Sequence, residues 1–213
     1  MDATSLLEGL RLVPVVVIED ETQAVPLAET LLAAGVRAME VTLRTESALA
    51  ALERVAGAVP EMLLGAGSLR CPEQFPRILN AGARFAVSPG ASERLLAAAA
   101  EARIPFVPGA VTASEIIRLL EHGYRLQKFF PAESSGGVAQ LRALAAPLPE
   151  VRFFPTGGIT SELAPAYLAF ERVACLGGSW FVPERALREG DFGTVAALAT
   201  QAVADAEQAR PPR

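Results

Sequence analysis

Of the nineteen lysines and arginines in this 213-residue chain, one is a lysine: Lys128, in the stretch LQKFFPAESSGG. Both side chains carry positive charge, but only an amine can lose its proton, attack a carbonyl carbon and become an imine. A free lysine amine, with a pKa of ~10.4, is almost wholly protonated at neutral pH. Burial favours the neutral form, and an ionised carboxylate nearby favours the charged one. Between Gln127 and the run Phe129, Phe130, Pro131, the residue reads as part of a buried strand. The plain alternative is a lysine left by chance in a chain whose coding bias favours arginine.

Glu40, in RAMEVTLR, is the matching carboxylate. Facing the same space, it would move protons at the carbon beside an iminium and shuttle them through water. The alternative is a structural Glu40–Lys128 ion pair, an inefficient way to gain stability. Glu133, in FFPAE, is a rival base placed in a loop. Arg44 carries a guanidinium fork suited to a carboxylate, or else to a salt bridge at the start of the following helix. Two Gly-Gly pairs, in TGGI (156–159) and LGGS (176–179), let backbone amides approach an anion closely. Either pair alone is also an ordinary turn.

The elements that must carry these residues follow from a recurring pattern. Eight apolar or β-branched runs, VPVVVIE, RAMEVTLR, EMLLGAGS, RFAVSPG, IPFVPGA, YRLQKFFP, VRFFPTGG and RVACLGGS, recur at roughly the spacing of one strand, one helix and two loops. Between them lie segments of helical apolar spacing, such as TESALAALERVAGA and SERLLAAAAEAR. With no linker or change of composition, residues 1–213 are expected to form a single domain, a (β/α)8 TIM barrel with an extra N-terminal helix at TSLLEGLR and a frayed ARPPR end. The main rival is a doubly wound open sheet. Strand alternation points Glu40, Thr42 and Arg44 toward the barrel axis, and Leu126, Lys128 and Phe130 likewise, with Gln127 and Phe129 facing away. Several runs end in Gly, Pro, Ser or Thr, and Pro72 and Pro76 lie past a strand end, where a missing N–H costs little. The Gly-Gly pairs follow the seventh and eighth runs, the recurring phosphate position of this barrel.

Composition narrows the partners. A net charge of −5 without a basic run argues against nucleic acid or an anionic membrane surface. Cys71 and Cys175 have neither the number nor the spacing of a disulfide framework or zinc site, so reduced thiols are expected. MDATSLLEGLRLVP lacks the features of a signal peptide, and no apolar run approaches the ~18 residues of a membrane span. A soluble cytoplasmic protein is the expectation. The single histidine, His122 in LLEHGY, rules out a multi-histidine metal cluster, and its place before a helix C-terminal glycine makes capping its expected role rather than service in a histidine-based triad. Neither a metal nor an organic cofactor is expected.

Taken together, EVTLRT (40–45), GAG (65–67), SPG (88–90), KFFPAE (128–133), PTGGI (155–159) and GGSW (177–180) resemble the 2-keto-3-deoxy-6-phosphogluconate aldolase family, which includes 4-hydroxy-2-oxoglutarate aldolases. The resemblance runs from about Val13 to Pro183. It implies a class I aldolase that cleaves the phosphorylated keto-acid to pyruvate and glyceraldehyde 3-phosphate. Lys128 matches the Schiff-base lysine, Glu40 the general acid/base, and Arg44 a residue that binds the pyruvate carboxylate. Ser68 stands where the family usually has threonine, and the chain departs from the family again near Arg70 and Cys71. Thr156 matches a position associated with stereochemical choice at C4. Gly157, Gly158, Gly177, Gly178 and Ser179 would form the phosphate site, and Phe130 and Pro131 would line the pyruvate pocket. Such enzymes are commonly homotrimers. Two other classes are compatible with the residues alone: a phosphosugar isomerase or epimerase with Glu40 as base, and a non-catalytic phosphosugar-binding protein.

Overall fold

The structure, a computed structural model, describes residues 2–209. The expected frayed end, from residue 210 onward, lies outside the described residues. Strand and helix alternate in the order α1 (Ala3–Leu7), β1 (Leu12–Val16), α2 (Ala24–Ala33), β2 (Ala38–Thr42), α3 (Ala48–Ala58), β3 (Leu63–Gly67), α4 (Gln74–Asn80), β4 (Phe85–Val87) and α5 (Glu93–Ala102). There follow β5 (Phe106–Val107), β6 (Gly109–Ala110), α6 (Ala113–Glu121), β7 (Leu126–Phe129), α7 (Gly137–Ala145), β8 (Arg152–Pro155), α8 (Ala164–Leu168), β9 (Leu176–Gly178), α9 (Glu184–Glu189) and α10 (Phe192–Gln208). Among the described residues no helix is long and apolar enough to cross a membrane.

All the strand pairs are parallel, in two sheets ordered β5-β4-β3-β2-β1-β9 and β6-β7-β8. Spatial order follows chain order from β1 to β5, and β9 returns beside β1. A doubly wound sheet would instead reverse its order at a switch point. The run IPFVPGA, expected as one strand, is divided into β5 and β6 at Pro108. Proline offers no N–H to a ladder, and the chain changes partner there, β5 pairing with β4 and β6 with β7. The Pro108 carbonyl still accepts from the Lys128 N–H at 2.8 Å. Among the described residues no ladder joins β8 to β9; two isolated bridges link them with their flanking residues, Phe153 to Val173 ahead of β9 and Thr156, just past β8, to Gly177. The architecture is thus α/β, with parallel strands in a curled sheet.

Two apolar clusters divide the strand faces. Met39, Val41 and Phe129 pack with helix residues such as Leu27, Leu31, Leu52 and Val55. Val13, Ala38, Phe85, Leu126, Phe154 and Cys175 form the inner cluster, which also takes in Ala3 and Leu7 of α1. Wholly buried, Leu7 contributes on the order of 1.5–3 kcal/mol by leaving water. Alternation then puts Glu40 on the face of Ala38, and Lys128 on that of Leu126. Gln127 faces the other way, its Nε2 donating to the carbonyls of Tyr124 at 2.9 Å and Ile116 at 3.1 Å. Both cysteines are free thiols, and burial pushes that of Cys175 up to about 12.

Local signals fix where the helices begin. Thr112 and Glu115 form a reciprocal capping box at α6, and Ser92 and Asp191 cap α5 and α10. His122 does stand at the C-terminal cap of α6, as its position before Gly123 suggests. Its ring, however, meets a side chain: Nε2 lies 3.1 Å from Glu93 Oε2. An acceptor across the α5–α6 contact takes the imidazole away from the helix carbonyls.

Candidate active site

The strands bring Lys128 and Glu40, 88 positions apart in the chain, to one point. Lys128 Nζ lies 3.1 Å from Glu40 Oε1 and 3.5 Å from Oε2. Glu40 is 0% exposed and Lys128 5%, so water screens this pair little. The amine also lies 5.2 Å from the ring centre of Phe130 and 5.9 Å from that of Phe154, both within cation–π range. Gly65 is the register neighbour of Glu40 and Gly109 that of Lys128. The space beside Gly65 is taken by the Phe85 ring, and that beside Gly109 by the backbone of Pro89.

The carboxylate has a seat of its own. A Cβ added at Gly67 would lie 2.0 Å from Glu40 Oε1 and 2.7 Å from its Cγ, closer than real Cβ atoms come. Gly67 therefore has no side chain because Glu40 occupies that volume. Gly67→Ala should displace the carboxylate and lower kcat about 100-fold, the usual scale for misplacing a reacting group by about 1 Å. Gly90→Ala, a change into open space, should leave kcat unchanged. Steady-state kinetics on both variants checks the pair.

Lys128 opens into a cavity of about 150 Å³ whose walls include Arg44, Phe130, Thr156, Gly157, Gly158, Gly177, Gly178 and Ser179. Eight of the residues singled out from sequence thus share one cavity with Lys128. Glu40 lies beneath the amine and is not a wall. Ser68 is not one either; its Oγ accepts from Arg44 Nε at 3.2 Å, so it touches the site through Arg44. Its φ of 63° is left-handed, a region that β-branched residues enter at a cost, which suits serine better than threonine. Pro131 is exposed and absent from the walls. Of the two residues expected there, Phe130 lines the cavity, while Pro131 lies in the turn that follows β7.

Around the mouth, Gly157 and Gly158 adopt φ of 105° and 78°, conformations that favour glycine. Gly178 makes room for the Trp180 indole, whose ring atoms would stand 1.8 Å from an added Cβ. The Thr156 hydroxyl is buried without a hydrogen-bond partner among the described residues. Sequence reasoning missed Val15, Val17, Ile159, Val182, Glu184 and Leu187, which also line the cavity. Val15 and Val17 lay inside a recognised run, and their alternation was the available signal. Glu184 and Leu187 belong to α9, which no motif marked. No group of three or more His, Cys, Asp or Glu among the described residues is placed to hold a metal ion.

A buried amine touching a carboxylate, open on one side to a glycine-rimmed cavity, can condense with a carbonyl compound and move protons beside the new C=N bond. On a parallel α/β scaffold, that is the equipment of an aldolase of the imine-forming class. The family model described as KDPG and KHG aldolase matches residues 3–198, and the chain belongs to this family. It is 48% identical over 204 residues to the 2-dehydro-3-deoxy-phosphogluconate aldolase of Dickeya dadantii, covering 96% of each chain. It is 47% identical to the KHG/KDPG aldolase of Escherichia coli K12, again over 96% of each. Among solved structures, it is similar to the KDPG aldolase of Legionella pneumophila with pyruvate captured at low pH as a covalent carbinolamine intermediate. There the TM-score is 0.92 at 41% identity, with 95% of this chain and 98% of that one covered.

Proposed function

We propose that this protein is a class I aldolase that cleaves 2-keto-3-deoxy-6-phosphogluconate to pyruvate and glyceraldehyde 3-phosphate, with 4-hydroxy-2-oxoglutarate, cleaved to pyruvate and glyoxylate, as a second substrate. The observation that carries it is the buried Lys128–Glu40 contact of 3.1 Å at the cavity floor. The neutral Lys128 amine attacks the C2 carbonyl, water leaves, and the protonated iminium accepts the electron pair of the breaking C3–C4 bond. Glu40, acting through a water, takes the C4 hydroxyl proton as the aldehyde departs and later returns a proton to C3 of the enamine. Hydrolysis of the iminium then frees pyruvate and restores the amine. The imine is itself the electron sink, so this route calls for neither metal nor organic cofactor.

Arg44 is assigned to the substrate carboxylate, with Ser68 holding its Nε at 3.2 Å so that the remaining guanidinium nitrogens face the ligand. Arg44→Ala should therefore raise KM for both keto-acids about 10–100-fold, the scale of one charge-assisted hydrogen bond, as read by steady-state kinetics. Thr156, with its unpartnered hydroxyl, is assigned to C4, and Phe130 to the pyruvate methyl side. Gly157, Gly158, Gly177, Gly178 and Ser179 are assigned to the phosphate, whose charge is met by backbone amides. The same reading includes a closed eight-stranded barrel, with β5 and β6 counted as one strand. The bridges from β8 to β9 and the partner change at Pro108 support it. A single domain over residues 1–213, a homotrimer and a cytoplasmic location complete the proposal. Incubation with pyruvate, reduction with borohydride and peptide mass spectrometry form the test. A reduced pyruvate adduct on Lys128 is expected; ketose phosphate isomerisation without any adduct would replace the aldolase with an isomerase.

A further inference from the structure

Glu133 and Tyr167 lie outside the cavity walls, and the mechanism above uses neither. Beyond Phe130 and Pro131, the Ala132 N–H donates to the Thr156 carbonyl at 2.8 Å and the Glu133 N–H to the Gly157 carbonyl at 3.1 Å. The segment leaving β7 thus runs beneath the Gly-Gly loop after β8 and bonds to it. The loop rests on side chains as well. A Cβ at Gly157 would lie 3.2 Å from the Phe130 ring, and one at Gly158 would lie 2.9 Å from Glu133 Cβ. The end of Glu133 is tied down in turn. Its Oε1 accepts from the Tyr167 hydroxyl at 2.5 Å, and Tyr167 is 1% exposed on α8, the helix that leaves the same loop. Burial, and after it the bond to Glu133, raises the phenol well above its ordinary range, so it remains a donor.

We propose that Glu133 and Tyr167 form a strut under residues 156–159 that sets this site's preference for phosphorylated over unphosphorylated keto-acids. The inference rests on reading that loop as part of the phosphate seat. Amides bind an anion well only when held in place beforehand, since fixing them on binding costs affinity. A free carboxylate beside a phosphate would also repel it. The phenol addresses both: it fixes the stem on which Gly158 lies, and it engages the carboxylate away from the cavity. Both are positioning residues; neither touches the reacting atoms.

The test compares Tyr167→Phe, Glu133→Ala and Glu133→Gln with the unmodified protein. KM and kcat are measured on the phosphorylated six-carbon acid and on hydroxyoxoglutarate, and Kd for inorganic phosphate by calorimetry. Tyr167→Phe keeps the buried ring, and Glu133→Ala changes only a half-buried residue at the start of a 3-10 turn, so one variant serves if the other fails to fold. Either should raise KM for the phosphorylated acid and Kd for inorganic phosphate about tenfold, with kcat and the hydroxyoxoglutarate constants within about twofold. Glu133→Gln, which retains an oxygen for the phenol, should recover most of the loss. Equal losses on both acids, or an unchanged phosphate Kd, would overturn the strut. If the unmodified protein cleaves neither acid, the aldolase reading fails, and the phosphate Kd still judges the strut by itself.

Discussion

Replacing Lys128 with arginine should yield a folded protein that cleaves neither keto-acid and forms no borohydride-reducible adduct with pyruvate. The guanidinium keeps a positive charge opposite Glu40, whose carboxylate is 0% exposed and would otherwise be stranded. Stripping one partner from a buried pair ordinarily costs ~3–5 kcal/mol, so arginine is a cleaner probe than Lys128→Met. Arginine stays protonated under any condition the fold survives and cannot attack a carbonyl. Loss of a covalent nucleophile ordinarily removes about 10⁴-fold or more of kcat. A melting curve near that of the unmodified protein, together with intact-mass spectra lacking the adduct, is the expected result. Substantial turnover by the arginine variant would sink the covalent route.

Glu40→Gln is expected to be the next most damaging change. Glutamine preserves shape and an acceptor oxygen but takes up no proton, so kcat should fall by about 10²–10⁴-fold. The amine is still present, and a pyruvate adduct should accumulate, more slowly than before. Proton nuclear magnetic resonance in heavy water gives the sharper readout, because Glu40 is assigned the C3 proton of the enamine. Exchange of pyruvate methyl hydrogens for deuterium should slow in parallel with cleavage. Normal exchange in this variant would move the base elsewhere. Glu133 is the obvious second carboxylate, but its Oε1 is already held by Tyr167 at 2.5 Å.

How much of this was legible in the letters depends on the range of the interaction. Lys128 and Glu40 could be found because alternation is local: two residues along a strand return to the same face. Their meeting still required the curl of the sheet. Pro108 was visible in IPFVPGA, but the eight-run reading treated it as an ordinary strand residue, and the ladder it interrupts showed the difference. In GAG the two glycines announce close approaches without naming the neighbours. The fold supplies those neighbours: Gly65 accommodates the Phe85 ring and Gly67 the Glu40 carboxylate. Tyr167 was the least legible. Its partner is 34 positions away, no period links the two, and an aromatic at a helical spacing ordinarily signals core. Pro131 and Ser68 sit at strand ends, where one residue of twist or one left-handed φ redirects a side chain.

The short first helix bears on the order of events. Ala3 and Leu7 stop the inner end of the strand interior with hydrocarbon, while the cavity opens past the far ends of the same strands. Among the described residues, traffic to the amine therefore passes through the cavity mouth, and a molecule bonded at the back of that corridor is first in and last out. During cleavage the aldehyde fragment must depart before the keto-acid can; in the synthetic direction the keto-acid must arrive before its partner. Inhibition patterns by each product should display that queue, with pyruvate competing against substrate for the empty site and the aldehyde fragment meeting only the loaded one.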